Sequence, residues 1–208
     1  MTNELRLFSL LACLFFGSLP ALAQSRVPVD PEATALTREL HERLWALRDH
    51  GIMIGHQDAA VYGHDWKYDG VADMKRVAGA FPAVFGWDVG DIGVGAEENL
   101  DGVSFDRMRE GIAWVHSVGG INTISWHADN PLTGGDSWDV SSKRVVKSIL
   151  PGGEKEAEYA KMLERRATFL VSLKTEQGEL VPVIFRPYHE HTGSWFWWGR
   201  KLCSEAEY

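Results

Sequence analysis

Residues 182–199 read Pro182-Val183-Ile184-Phe185-Arg186-Pro187-Tyr188-His189-Glu190-His191-Thr192-Gly193-Ser194-Trp195-Phe196-Trp197-Trp198-Gly199. The first part is an apolar run, β-branched and aromatic and too short for a helix, which predicts a buried strand over residues 183–185. The chain then turns polar, with Glu190 between two histidines, and three of its nine tryptophans follow within four residues. A buried strand that ends in this way predicts a functional site at its carboxyl end.

A sugar-cleaving site fits this combination of side chains. The carboxylic acid of Glu190 can protonate a glycosidic oxygen, indole rings stack on pyranose faces, and Arg186 can orient carboxylates by a bidentate contact. Two simpler interpretations stay open at this point: a surface cluster for the polar residues and a core for the tryptophans. A zinc site is a weaker hypothesis, because His189 and His191 share a strand face but the helical His-Glu-x-x-His pattern is absent.

The first 23 residues have the pattern of a signal peptide. Arg6 gives a weakly positive start, an apolar stretch follows over residues 7–22, and Ala21-Leu22-Ala23 is a typical cleavage site. The apolar stretch has no stop-transfer flank, so we predict no membrane span. A lipoprotein signal at Cys13 is the alternative. We therefore expect a secreted or periplasmic protein with a linker over residues 24–29 and a folded domain over residues 30–208.

Composition narrows the class of ligand. A net charge of −8 argues against nucleic acid and anionic membranes as partners. Removal of the signal peptide leaves Cys203 as the only cysteine, so no internal disulfide can form and a hydrophobic core must hold the fold. No Gly-rich phosphate loop follows any predicted strand, which argues against a bound nucleotide. We predict neither a cofactor nor a metal.

Four helices are predicted, one before the first of four short strands and one between each pair of consecutive strands. The first covers residues 30–51, with Asp30 as N-cap and Pro31 at the first helical position. The others cover residues 70–80, 104–117 and 154–175. The long connection over residues 127–153, which contains Trp138, is of a length more often functional than idle.

Every predicted strand ends in polar or aromatic residues. These ends are His56-Gln57-Asp58, Trp87-Asp88, Trp126-His127 and His189-Glu190. Short apolar strands alternating with helices predict a parallel sheet that is buried on both faces. In a (β/α)8 TIM barrel the carboxyl ends of the strands converge on the active site, and we predict that fold. An open doubly wound sheet is the alternative, since its ligands also bind at the carboxyl ends.

These motifs together resemble the bacterial mannanases of glycoside hydrolase family 26. The resemblance is carried by Gly55-His56-Gln57, by Gly86-Trp87-Asp88, by residues 125–131, which read Ser-Trp-His-Ala-Asp-Asn-Pro, and above all by residues 186–199. It implies a (β/α)8 barrel and retaining endo-hydrolysis of β-1,4-mannosidic bonds in mannan, glucomannan or galactomannan.

The resemblance also implies roles for individual residues. Glu190 matches the acid/base at the end of the fourth strand, and His189 the neighbouring histidine at the reaction centre. Trp195 matches an aromatic of the cleft and His127 a contact on its non-reducing side. Four residues are assigned to substrate binding from their place on the rim or beside Glu190, namely Trp138, Asp88, His56 and Arg186.

One departure from the family pattern is large. Retaining hydrolysis requires a second carboxylate, which in the family is a Glu at the end of the seventh strand. No candidate for that strand exists in the sequence, and a (β/α)8 barrel needs about 250 residues. We expect residues 30–208 to be a truncated, N-terminal part of the catalytic domain and the chain to be inactive by itself.

Three other functions remain possible from the sequence. The first is another β-glycan hydrolase of the same family, a lichenase or a β-1,3-xylanase. The second is a non-catalytic carbohydrate-binding protein on the same scaffold. The third, a metal-dependent hydrolase, would use the eight histidines.

Overall fold

The computed structural model describes residues 27–61 and 72–208. The predicted signal peptide and residues 24–26 of the predicted linker lie outside this range. The elements in chain order are α1 (Ala35–Leu47), β1 (Gly55–Gln57), α2 (Asp73–Ala78), β2 (Val84–Asp88), a short 3-10 helix (Ile92–Val94), α3 (Phe105–Ser117), β3 (Ile121–Trp126), α4 (Val145–Ile149), α5 (Glu156–Ser172) and β4 (Val183–Pro187).

Within the described residues the four strands form a sheet in the order β1-β2-β3-β4, and all neighbouring pairs are parallel. Neighbouring strands of the sheet are consecutive in the chain, and helices lie between them in the sequence. This is the repeating unit of a (β/α) barrel, and its order matches the first four strands of such a fold. An open doubly wound sheet would reverse its strand order at a switch point, and no reversal occurs among these strands.

The hydrophobic core lies on the face of the sheet that α3 and α5 cover. The residues of α3 predicted to be in phase are all buried: Phe105, Met108, Ile112 and Val115. A buried hydrogen-bond chain ties the layers together. The indole N–H of Trp87 donates to Asn122 Oδ1 at 2.8 Å, and the Asn122 amide donates to the Ile112 carbonyl at 3.1 Å.

The opposite, inner face of the sheet carries the polar residues. The strand register places Asp88 beside Ser125 and Ser125 beside Arg186, in one row at the carboxyl ends of β2, β3 and β4. Because side chains alternate along a strand, these three residues project to the side away from Trp87 and Trp126.

The prediction that the strands are buried on both faces is correct only for the central pair. Both β2 and β3 are almost wholly buried, but all three residues of β1 are exposed and those of β4 are half-buried or exposed. The reason is position, because within the described chain β1 and β4 are the edge strands of the sheet.

The start of α1 differs from the prediction. Its N-cap is Thr34, whose hydroxyl accepts the Thr37 N–H at 3.2 Å. Asp30 instead accepts the Glu32 N–H at 2.8 Å within a preceding turn. Both residue types satisfy free N–H groups, so the sequence alone did not separate them. The five-residue helix α4 within the long connection was not predicted, because one turn is too short to show helical periodicity.

Candidate active site

Glu190 lies in the turn that follows β4. Tyr188 and Glu190 both have positive φ angles, of 48° and 57°, a conformation that costs ordinary residues about 1–3 kcal/mol and persists only where surrounding contacts impose it. Two contacts do so here. The Trp198 indole donates to the His189 carbonyl at 2.9 Å, and the Gly193 N–H donates to the Glu190 carbonyl at 2.9 Å. The exposed Glu190 side chain is thus carried on a constrained backbone.

Trp195 folds back onto this turn. Its indole N–H donates to Glu190 Oε2 at 3.0 Å, while half of its surface stays exposed. Gly193 makes the position possible, because a Cβ there would lie 2.4 Å from the indole ring. The arrangement holds one carboxylate oxygen of Glu190 beside an aromatic face that is open to a ligand.

The second part of the site is a buried carboxylate–histidine pair. Asp88, 2% exposed, lies at the end of β2, and its Oδ2 is 2.8 Å from Nδ1 of His127, which directly follows β3. Burial acts to raise the pKa of Asp88, but hydrogen bonds from His127, Ser125 and the Gly90 N–H outweigh it and hold that pKa below its usual value. Asp88 is therefore an ionised carboxylate at neutral pH.

Aromatic rings surround His127. Its imidazole is stacked on Trp138, with ring centroids 5.0 Å apart and an interplanar angle of 15°. Phe196 lies edge-on at 5.2 Å, and His189 edge-on at 4.7 Å. Burial, together with the nearby His127, lowers the pKa of His189. The structure thus brings together His127, His189 and the half-exposed Trp138, three of the predicted binding residues.

The tryptophan-rich segment divides between core and surface. Phe196, Trp197 and Trp198 are buried, whereas Trp195 is 50% exposed. The Trp197 indole donates to the Ala128 carbonyl at 2.8 Å, which joins this segment to the chain after β3. Both interpretations of the segment therefore apply, each to different residues.

Two residues that the sequence assigns to substrate binding, Arg186 and His56, make none of the contacts described above. Arg186 is exposed on the inner face, and within the described residues its guanidinium forms no hydrogen bond or ion pair. His56 is in register with Phe85 and, through it, with Asn122, whose side chains face α3. It therefore lies on the opposite face of the sheet from Asp88, and its binding role remains a prediction.

Two residues, Ser125 and Asp129, were not predicted as site residues from the sequence. Ser125 donates to Asp88 Oδ2 at 2.6 Å, and the two-residue spacing of Ser125 and His127 at the carboxyl end of β3 was the signal that could have found it. Asp129 was also missed. Burial and the neighbouring Asp91 carboxylate raise its pKa to about 6.

In the described ranges, no group of three or more His, Cys, Asp or Glu side chains is arranged to hold a metal ion. None of the helices in those ranges is both long and apolar enough to cross a membrane.

The sequence model that describes glycosyl hydrolase family 26 matches residues 29–208 of this chain. The chain belongs to glycosyl hydrolase family 26. Among solved structures, a family 26 β-mannanase from Bacteroides ovatus is 48% identical, with a TM-score of 0.82 over 84% of this chain and 51% of that one. An endo-β-1,4-mannanase from Cellulomonas fimi is 37% identical, with a TM-score of 0.77 over 86% of this chain and 41% of that one. These likenesses confirm the predicted barrel fold.

Curated relatives of this family 26 chain include a mannan endo-1,4-beta-mannosidase from Bifidobacterium adolescentis. It is 37% identical over 86% of this chain and 18% of its own length. An enzyme of the same name from Bacillus subtilis is 28% identical over 92% of this chain and 53% of its own length. The chain thus spans about half, or less, of the length of these relatives.

Proposed function

We propose that this family 26 chain supplies the acid/base and the substrate-binding residues for retaining endo-hydrolysis of β-1,4-mannosidic bonds in mannans. The observation that carries the proposal is the Glu190 carboxylate, held by the Trp195 indole at the carboxyl end of β4. The relatives are mannan endo-1,4-beta-mannosidases, and this supports the choice of bond. Mannan, glucomannan and galactomannan share that backbone and are the proposed substrates.

The geometry suggests how Glu190 acts. The Trp195 N–H donates a hydrogen bond to Oε2 of Glu190. The acid proton is therefore carried by the other carboxyl oxygen, Oε1. Glu190 donates this proton to the glycosidic oxygen as the bond breaks, and then accepts a proton from the water that hydrolyses the glycosyl-enzyme intermediate. The exposed faces of Trp195 and Trp138 provide stacking surfaces for the mannose rings.

The mechanism also needs a nucleophile. A retaining enzyme places its second carboxylate about 5–5.5 Å from the first, and the family resemblance puts that Glu on a seventh strand. Only four strands are found in the described residues. We therefore propose turnover for the protein with a complete barrel, to which these four strands contribute the acid/base side.

The test replaces Glu190 in the protein as its host produces it. For Glu190→Ala we expect kcat/KM on mannan to fall by about 10²–10⁴, the usual contribution of general acid–base catalysis. The loss should be smaller on an aryl β-mannobioside whose leaving group needs no protonation. Glu164→Gln is the matched control, because Glu164 is exposed on α5. Wild-type turnover of mannan by Glu190→Ala would refute the assignment.

Non-catalytic carbohydrate binding is the second candidate. One observation favours it: the described chain holds four candidate sugar-binding residues, His127, His189, Trp138 and Trp195, and binding by itself requires no nucleophile. Reducing-sugar release from mannan, lichenan and β-1,3-xylan separates the possibilities. Release from mannan supports the main proposal, release from another glycan changes the substrate, and binding of mannan without release supports the second candidate.

We also propose export to the periplasm or the medium, because residues 1–23 have a signal-peptide pattern and the proposed substrate is a polymer. N-terminal sequencing of the protein from its host should then begin at Gln24. A mature chain that retains Met1 would contradict this.

A further inference from the structure

We infer that Asp88 is a positioning residue that fixes the Nδ1–H tautomer of His127 and so makes His127 Nε2 a hydrogen-bond acceptor. The sequence predicts a substrate-binding role for Asp88. The structure gives it a different place, because its carboxylate is buried behind His127. The part of the inference that concerns sugar recognition rests on the proposed function.

The contacts of Asp88 specify the position of the proton. Oδ1 accepts the N–H groups of Gly90 at 2.7 Å and of His127 at 3.2 Å. Oδ2 accepts the Ser125 hydroxyl at 2.6 Å and lies 2.8 Å from His127 Nδ1. Because an ionised carboxylate only accepts hydrogen bonds, the close Nδ1 atom must carry a proton. In a neutral imidazole, Nε2 then bears the lone pair.

The surrounding rings keep this orientation. Trp138 stacks on the His127 ring, and His189 and Phe196 approach it edge-on, with centroid distances between 4.7 and 5.2 Å. A flip of the imidazole would break the bond to Asp88 within this packed group. Nε2 therefore stays on the side of the ring away from Asp88, and 22% of the His127 side chain is solvent-accessible.

This arrangement selects the chemistry of the ligand group at His127. An acceptor at Nε2 pairs with a group that can donate a hydrogen, and a sugar hydroxyl is such a donor. A ligand atom that only accepts, such as a glycosidic or ring oxygen, gains no hydrogen bond there. Asp88 thus acts on the ligand through His127 without touching it.

The substitution Asp88→Asn tests the inference because the backbone fixes how the new amide must lie. The two N–H donors at Oδ1 require the amide oxygen there, so the NH2 group takes the place of Oδ2. Ser125 can accept from this NH2, since its hydroxyl also lies 3.1 Å from the Trp87 carbonyl and can donate to it. His127 Nδ1 must then accept as well, and its proton moves to Nε2.

The experiment is NMR of the protein labelled with ¹⁵N-histidine, at a pH well above the usual imidazole pKa of about 6.5. A His127→Gln variant assigns the resonances. We expect a protonated Nδ1 in the wild type, the inverted tautomer in Asp88→Asn, and the wild-type tautomer in Ser125→Ala, which removes another donor from the same oxygen.

Two results would overturn the inference: a protonated Nε2 in the wild type, or an unchanged tautomer in folded Asp88→Asn. If Asp88→Asn does not fold, the wild-type spectrum still decides, because it reports the tautomer directly. The measurement needs neither turnover nor bound sugar, so its outcome is separate from that of the mannanase proposal.

Discussion

At the scale of single residues, the candidate active site depends on glycines that leave space for neighbouring side chains. Gly193 leaves room for the Trp195 indole, and the indole in turn holds Glu190. Gly90 has the same role beside Asp88, because a Cβ there would lie 2.3 Å from Leu100 and 3.0 Å from Asp88 Oδ1. Both glycines are explained by close approach of neighbours.

The substitution Gly193→Ala should therefore damage function more than stability. The new methyl group would displace the end of a half-exposed side chain, so we expect the free energy of unfolding to change by about 0.5 kcal/mol or less. Mannan turnover should fall, because Glu190 loses its indole partner. Urea unfolding and kcat/KM on mannan measure the two effects. Trp195→Phe removes the same N–H and should match the loss of turnover; normal turnover in both variants would contradict the role of the indole.

At the scale of elements, the site depends on the ladder between β2 and β3. This pairing places Asp88 beside Ser125, although the two residues are 37 positions apart in the chain. Helix α3 supports β2 from the other side of the sheet. Its Gly111 lies against the buried Trp87, where a Cβ would be 2.6 Å from the indole. The close contact of this helix with β2 thus requires glycine.

We predict that Gly111→Ala destabilises the protein despite the better helix propensity of alanine. Propensity alone would stabilise α3 by up to about 1 kcal/mol, whereas overpacking against a buried ring costs about 1–3 kcal/mol. The expected net loss is about 1 kcal/mol in urea unfolding. Glu110→Ala, at the adjacent exposed position, should change stability by less than about 0.5 kcal/mol. A more stable Gly111→Ala protein would show that α3 can shift away from β2.

At the scale of the whole molecule, two buried aspartates contribute to the pH dependence of stability, and folding shifts their pKa values in opposite directions. Burial, with the nearby charges of Asp101 and Asp88, raises the pKa of Asp58 from 3.8 to about 7. Asp88 has a lowered pKa, so its contribution is present above the unfolded-state pKa and is lost as the pH falls through the folded-state value. For Asp58 the dependence on pH is reversed. Folding disfavours its charged form, so stability decreases as Asp58 ionises.

The Asp58 contribution should disappear as the pH rises. Between about pH 4 and 7 the folded protein retains a proton that the unfolded chain has lost, so stability falls across this window. Asp58→Asn should remove this slope and stabilise the protein at pH 8 by on the order of a few kcal/mol, with little effect near pH 4. Thermal unfolding across this range tests the prediction, with Asp49→Asn at an exposed position as control. An unchanged slope in Asp58→Asn would mean that Asp58 is already ionised when folded.

The sequence by itself determined the parallel βα order, the buried face of α3, the polar carboxyl ends of the strands and the family motif around Glu190. These features follow from periodicity and turn chemistry, which act over a few residues. The long connection between β3 and α5 was less predictable, and α4 within it was missed.

Only the tertiary structure decided which of the predicted residues meet. It paired Asp88 with His127, placed His56 on the other face of the sheet, and left Trp195 exposed while burying Trp197. The physical reason is that a shift of one residue in strand register exchanges the two faces of a sheet, and contacts between residues far apart in the chain depend on how the strands and helices pack.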